Sequence, residues 1–131
     1  DPIQPDKQST DRDYNLAQEY CIKHLDRIAL WSGTHNEESN YRLAKLIDAH
    51  NIDRNDPRVA FSQLYGMSDN ITYNLAYHGY NVMKYIPFGH IKAVLPYLFR
   101  RAQENTSVQG QSSRELKYLS MELKRRLFGR N

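Results

Sequence analysis

Three short apolar runs alternate with stretches of helical periodicity, and this alternation limits the chain to few folds. The runs are Ile28-Ala29-Leu30-Trp31, Val59-Ala60-Phe61-Ser62-Gln63-Leu64 and Asn81-Val82-Met83-Lys84-Tyr85-Ile86. Each has the length and bounding turn residues of a strand. Between the first two, Leu43, Ala44 and Ile47 recur at the spacing of one helix face; between the second and third, Ile71, Leu75 and Ala76 do. A strand, a helical crossover and a second strand make a right-handed unit whose strands run parallel. The order predicted is helix, strand, helix, strand, helix, strand, helix, helix, an α/β arrangement of about three parallel strands with flanking helices plus a C-terminal helix. Three strands are few, because a parallel sheet needs both faces covered and its edges managed. Further strands are expected beyond these residues.

Local signals set the boundaries. The two prolines of the opening predict an extended lead-in as far as Gln8, with a first helix capped by Ser9 or Thr10. Ala17, Tyr20, Cys21, His24 and Leu25 predict its core-facing side. Cys21 and His24 have a spacing that superficially suits a metal, but two ligands do not complete a tetrahedral site, and both read as core residues. Small polar residues follow the first strand: Thr34 and His35 are candidate ligand contacts, while Thr34 or Asn36 alternatively does no more than cap the next helix, which runs to about Ala49. Ser68 or Asp69 caps the third helix, and Gly79 suits its left-handed end. A polar linker is expected over 105–111. Ser112 with Glu115 then forms a capping box for a last helix striped by Leu116, Leu119, Leu123 and Leu127.

The stretch after the third strand carries paired arginines. On a helix, Tyr97, Arg100, Arg101 and Glu104 share one face, and Ile91, Val94, Leu95, Leu98 and Ala102 form an apolar stripe roughly opposite, expected to pack. Pro96 removes one amide donor from that helix. Guanidinium is a flat fork that matches a carboxylate or phosphate through two parallel hydrogen bonds, so two adjacent forks framed by a tyrosine suit a small carboxylate. The alternative is a solvated helix face in which Glu104 pairs with Arg100, worth about 0.3–0.5 kcal/mol.

Composition excludes some classes. A chain of 131 residues holds one domain and is too short for two substantial ones. The net charge is +3, and the positive residues are spread out until Lys124-Arg125-Arg126, a pattern that argues against nucleic acid. That trio reads as the basic end of a helix dipole, the other possibility being a noncatalytic module that binds acidic surfaces. A single cysteine, Cys21, forms no internal disulfide and fits a reducing compartment. No apolar run has the roughly 18 residues of a membrane span, and the first residues have neither the basic start nor the apolar middle of a secretory signal.

Four blocks then occur in an order that resembles the C-terminal portion of the proline dehydrogenase family. They are Thr34-His35-Asn36-Glu37, Phe61-Ser62-Gln63-Leu64-Tyr65-Gly66-Met67, the run from Gly79-Tyr80-Asn81 through Tyr85-Ile86-Pro87-Phe88-Gly89, and Pro96-Tyr97-Leu98-Phe99-Arg100-Arg101-Ala102-Gln103-Glu104-Asn105. The resemblance implies the C-terminal half of a distorted (β/α)8 TIM-type barrel over 1–131, with strands six to eight present. It implies oxidation of L-proline to Δ1-pyrroline-5-carboxylate, with electrons passed from FAD to a quinone. Arg100 and Arg101 would bind the proline carboxylate, with Tyr97 flanking it. Tyr85 would close over the ring near the flavin, Leu64 would pack on it, and Thr34, His35 and Glu104 would contact FAD. The family's remaining substrate and flavin residues lie on earlier strands, so the chain alone is expected to lack turnover and tight FAD binding. A relative acting on hydroxyproline or another small imino acid is the alternative. The implied setting is intracellular, either the bacterial cytoplasm or the periphery of its inner membrane, where the protein would make peripheral membrane contact, or alternatively a mitochondrion.

A barrel needs about 250 residues, and strands six to eight alone would leave an apolar inner face and an unpaired edge. The chain is therefore expected to self-associate or to bind the N-terminal half of the same barrel. Light scattering across a wide concentration range checks this: mass should rise with concentration, and a monomer throughout would contradict it.

Overall fold

The computed structural model describes residues 3–107 and 111–128, except for the side chains of 102, 104–107, 111–115 and 128. The chain divides into two units, Asp1–Ile86 and Pro87–Asn131.

In the first unit, helix α1 (Lys7–Lys23) begins earlier than the hydroxyl residues suggest. Asp6 is the cap: its carboxylate accepts from the Ser9 amide at 2.7 Å, so Ser9 lies inside the first turn and the lead-in ends before Lys7. The buried side of α1 is Gln18, Ile22 and Leu25, while Ala17 and Tyr20 are exposed and Cys21 and His24 are half-buried. The expected stripe was displaced because it passed over a glutamine. Gln18 is buried because its amide donates to Ser32 Oγ at 2.9 Å, which Tyr14 Oη also meets at 3.0 Å. Tyr20 instead stacks on His24 outside the core, ring centroids 4.2 Å apart.

After α1, the amides of Arg27 and Ile28 both donate to His24 O, so the chain is still turning at Ile28. Strand β1 (Leu30–Gly33) therefore starts two residues later than the apolar run. Helix α2 (Glu37–Ala49), strand β2 (Val59–Leu64), helix α3 (Asp69–Tyr77) and strand β3 (Val82–Tyr85) follow in the expected order. Gly79 has φ +86, the left-handed conformation expected beyond α3.

The strands pair in parallel in chain order, β1-β2-β3. Leu30 lies opposite Val59, Ser32 opposite Phe61, Phe61 opposite Val82 and Gln63 opposite Lys84. Period-two alternation puts these residues on one face. There Val59 and Phe61, with Leu30 and Val82, meet Ile22 of α1 and Leu25 just beyond it, Leu43 and Ile47 of α2, and Leu75 of α3. All three helices thus cover the same face, as right-handed crossovers between sequential strands require. The opposite face carries Trp31, Gly33, Ala60, Ser62, Leu64, Met83 and Tyr85; Trp31 is 66% exposed. Ion pairs gather at the N-terminal end of the sheet. Arg54 grips the Asp48 carboxylate at 2.9 and 2.7 Å while covering the Tyr80 ring, and Arg58 pairs with Asp56 at 2.6 Å and donates to Leu25 O.

In the second unit, helix α4 (Ile91–Ser107) runs on through Pro96 and three residues into the stretch expected to be linker. Gly89 precedes it at φ +152, where an added Cβ would lie 3.1 Å from Val94 Cγ2, so a side chain there meets both strain and contact. Helix α5 (Gln111–Phe128) encloses Ser112 rather than starting from it, and the expected capping box falls outside the described side chains. The α4 stripe was expected to pack, yet Ile91, Leu95 and Leu98 are exposed, as are Leu116, Leu119, Leu123 and Leu127 of α5. None of the described helices is long and apolar enough to cross a membrane.

Phe61 is the centre of the first unit, 1% exposed and edge-on to Tyr80 at 5.5 Å. Phe61→Ala should lower unfolding free energy by about 3–5 kcal/mol, read by denaturant titration. A loss below about 1 kcal/mol would show that the core is centred elsewhere.

Candidate functional site

Three of the sequence-predicted residues stand at one edge of the sheet. Leu64 is the last residue of β2, Tyr85 the last of β3, and Thr34 follows the last residue of β1. Leu64 and Tyr85 are register partners, and the Thr34 amide continues the ladder by donating to Ser62 O at 3.2 Å. Parallel strands bring their C-terminal ends together, where the following loops carry side chains over a common rim. On the face opposite α1, α2 and α3, Leu64 is 8% exposed and Tyr85 beside it 54% exposed. Beneath them Gly33, Ser62 and Met83 form a row of register partners, and an added Cβ at Gly33 would meet nothing within 4 Å. The result is an apolar and aromatic wall with a cleared strip, suited to a flat ring system.

The β1–α2 loop separates the two roles that its sequence left open. Asn36 is the cap: its Oδ1 accepts from the amides of Glu38 and Ser39. Thr34 Oγ1 accepts from the Asn36 amide at 3.1 Å, which shapes the loop and leaves the hydroxyl proton available.

His35 is tied at both ring nitrogens. The Leu64 amide, which can only donate, meets Nε2 at 3.4 Å, so Nε2 is the acceptor and Nδ1 carries the proton. Nδ1–H then donates to Ser68 Oγ at 2.8 Å. Burial first, and the positive charge of Lys84 second, hold His35 below its usual 6.5. The imidazole is thus neutral at pH 7 and joins three rim segments.

Sequence reasoning missed the polar layer under this rim. Gln63, 2% exposed, donates to Thr34 O and Asn40 Oδ1 and accepts from Thr72 Oγ1 at 3.0 Å. Asn40 Nδ2 donates to Thr34 O and Asn36 O. Lys84 donates to Met67 O at 2.6 Å and pairs with Asp69 at 2.7 Å. The available signal was that Gln63 and Lys84 are polar residues at helix-facing positions of otherwise apolar strands.

In the second unit, Tyr97 and Arg101 lie one helical turn apart on α4, with the Arg101 guanidinium 5.3 Å from the Tyr97 ring centroid. Arg100 is exposed and has no hydrogen-bond or ion-pair partner among the described residues. Glu104 lies on the same helix, its side chain outside those described. A flat charged fork and a second held against an aromatic ring suit a carboxylate. Among the described residues no group of three or more His, Cys, Asp or Glu side chains is placed to hold a metal ion.

Residues 1–114 match the family model described as proline dehydrogenase. The chain is 40% identical to "Proline dehydrogenase 1, mitochondrial" of Dictyostelium discoideum, over 97% of its own length and 23% of that protein's. It is 45% identical to "Carbapenem antibiotics biosynthesis protein CarD" of Pectobacterium carotovorum, over 94% and 31%. To the "Hydroxyproline dehydrogenase" of Bos taurus it is 40% identical, over 99% and 29%. The chain therefore spans between about a quarter and a third of the length of these relatives. No solved structure matches it.

A depressed histidine pKa fixes the sign of a pH effect. The unfolded chain takes up the His35 proton near 6.5, before the folded chain does, so stability falls as pH drops below that value. Melting temperature should therefore decline less between about pH 7 and pH 5 in His35→Gln than in the parent chain. Equal slopes would mean that His35 titrates as it does unfolded.

Proposed function

Because the chain belongs to the proline dehydrogenase family, we propose that it forms the last three strands and following helices of a distorted (β/α)8 barrel that oxidises L-proline to Δ1-pyrroline-5-carboxylate. One observation carries this reading. The parallel strands follow chain order with α1, α2 and α3 on one face, and Thr34, Leu64 and Tyr85 stand at the C-terminal ends of the strands. That is how a barrel wall presents ligand residues.

The rim fits a flavin. A flat, largely apolar ring system needs an uncluttered wall with aromatic and aliphatic side chains, as Gly33, Leu64 and Tyr85 provide, and a hydroxyl donor beside it, as Thr34 provides. FAD, when bound, takes up the two electrons removed as the ring carbon–nitrogen bond becomes double, and a quinone receives them. The chain's own residues bind and orient. Arg100 and Arg101 hold the proline carboxylate, with Tyr97 beside it. Leu64 packs on the ring, Tyr85 closes over it, and Thr34, His35 and Glu104 contact FAD. Fixing the carboxylate leaves the ring one orientation, which converts a collision into a held geometry.

Hydroxyproline is the second candidate substrate, since several hydroxyproline dehydrogenases are 40–42% identical to this chain, no less than the 38–40% of the proline dehydrogenases. Comparing kcat/KM for the two imino acids in the full-length protein separates them.

The same reading makes the remaining strands necessary for the reaction. The 131-residue chain with FAD, proline and an electron-accepting dye should give no sustained turnover, and turnover without another chain would overturn the partial-site reading. In the full-length protein, Arg100→Ala should reduce kcat/KM for proline by about 10- to 100-fold, as loss of a charge-assisted bond of about 1.5–3 kcal/mol requires. An unchanged value would remove Arg100 from the site.

A further inference from the structure

Ser68 stands at an unusual junction. It occupies the cap position of α3, yet its side chain makes no capping bond; its hydroxyl is instead 2.8 Å from His35 Nδ1, across the β1–α2 and β2–α3 loops. It does so from a left-handed backbone, φ 53 and ψ 43, which a non-glycine residue adopts at a cost, and it is 1% exposed. A serine that gives up its capping bond and accepts strain is held there by its surroundings.

Those surroundings are specific. Lys84 Nζ holds both neighbours of Ser68, donating to Met67 O at 2.6 Å and pairing with Asp69 at 2.7 Å. Ser68 O accepts from the Ile71 and Thr72 amides. Thr72 Oγ1 is also 3.0 Å from Gln63 Oε1, and Gln63 Nε2 reaches Thr34 O, beside His35. Both ends of the His35–Ser68 bond are therefore anchored to the same buried layer. The Leu64 amide reaches Nε2 only at 3.4 Å and favours the same tautomer, with the proton on Nδ1, so the 2.8 Å contact with Ser68 is the closer of the two that hold the ring.

We infer that Ser68 is a positioning residue for His35, setting its tautomer and ring plane so that the imidazole meets a flavin with its nitrogens already committed. This rests on the proposed contact of His35 with FAD, but the geometry it describes exists without the cofactor. Neither the family match nor the four sequence blocks assigned Ser68 a role.

Ser68→Gly removes the hydroxyl at a backbone angle glycine adopts freely, so the fold should survive; Ser68→Asn keeps a side-chain acceptor and tolerates the same angle. Both are made in the full-length protein with 15N-labelled histidine, using His35→Gln to assign the His35 signals. In the flavin-free parent, His35 should show a single tautomer protonated at Nδ1. Ser68→Gly should show a mixed or exchanging tautomer, a melting temperature within about 4 °C of the parent, and an FAD Kd raised about tenfold. Ser68→Asn should recover the single tautomer and most of the affinity. A parent protonated at Nε2, or a Ser68→Gly tautomer unchanged from the parent, overturns the inference. A shifted tautomer with unchanged FAD affinity and unchanged proline kinetics supports the positioning role and instead overturns the contact between His35 and FAD.

Discussion

A glutamine amide shut inside a sheet has to find partners, and the way Gln63 does so organises the rim. Its donors reach Thr34 O and Asn40, and its carbonyl receives Thr72 Oγ1. An unsatisfied buried amide costs about 1–3 kcal/mol, so the loop after β1, the start of α2 and the first turn of α3 are constrained together. Everything above this layer inherits its position from it: Thr34 directly, His35 as its neighbour, and Ser68 through Thr72. Lys84 adds the charge that a polar layer of this kind can bury only when paired, which Asp69 does.

The two ends of the sheet are built from different interactions. At the N-terminal end, exposed arginine–aspartate pairs clamp short turns, and the Asp56 carboxylate is held down to about 2, chiefly by its hydrogen bond from the Arg58 side chain. At the C-terminal end, a buried layer of hydrogen bonds, neutral apart from those of Lys84 with Met67 O and Asp69, sets loop shapes. Surface ion pairs hold a turn but are screened by salt, whereas buried amide networks specify one geometry. The separation fits a wall whose lower end supports and whose upper end presents ligands.

Element order, the α/β class and the full extent of β2 were legible in the sequence, because apolar runs and helical periodicity report what each face buries. The misplacements share a cause. Asp6 was passed over for Ser9 and Thr10, and α1 was rotated onto Tyr20 instead of Gln18, because one polar residue made a bond that periodicity does not weigh. Of the candidate site, the strand-end positions of Leu64 and Tyr85 were readable from pattern. The roles of Thr34 and Asn36 depended on which oxygen the loop turned inward. Gln63, Ser68 and Lys84 were invisible as a group because they meet only after β2, β3 and α3 come together. The exposed leucines of α4 and α5 mark the opposite limit, where periodicity predicts a buried face and the described residues leave it exposed.

Strand order that repeats chain order has a consequence for synthesis. β2 pairs with β1 and β3 with β2, with a single helix between each pair, so neither of these pairings waits for a distant segment and both loops closed are short. A sheet of this kind grows by addition at its newest edge as the polypeptide emerges, β2 onto β1 and β3 onto β2.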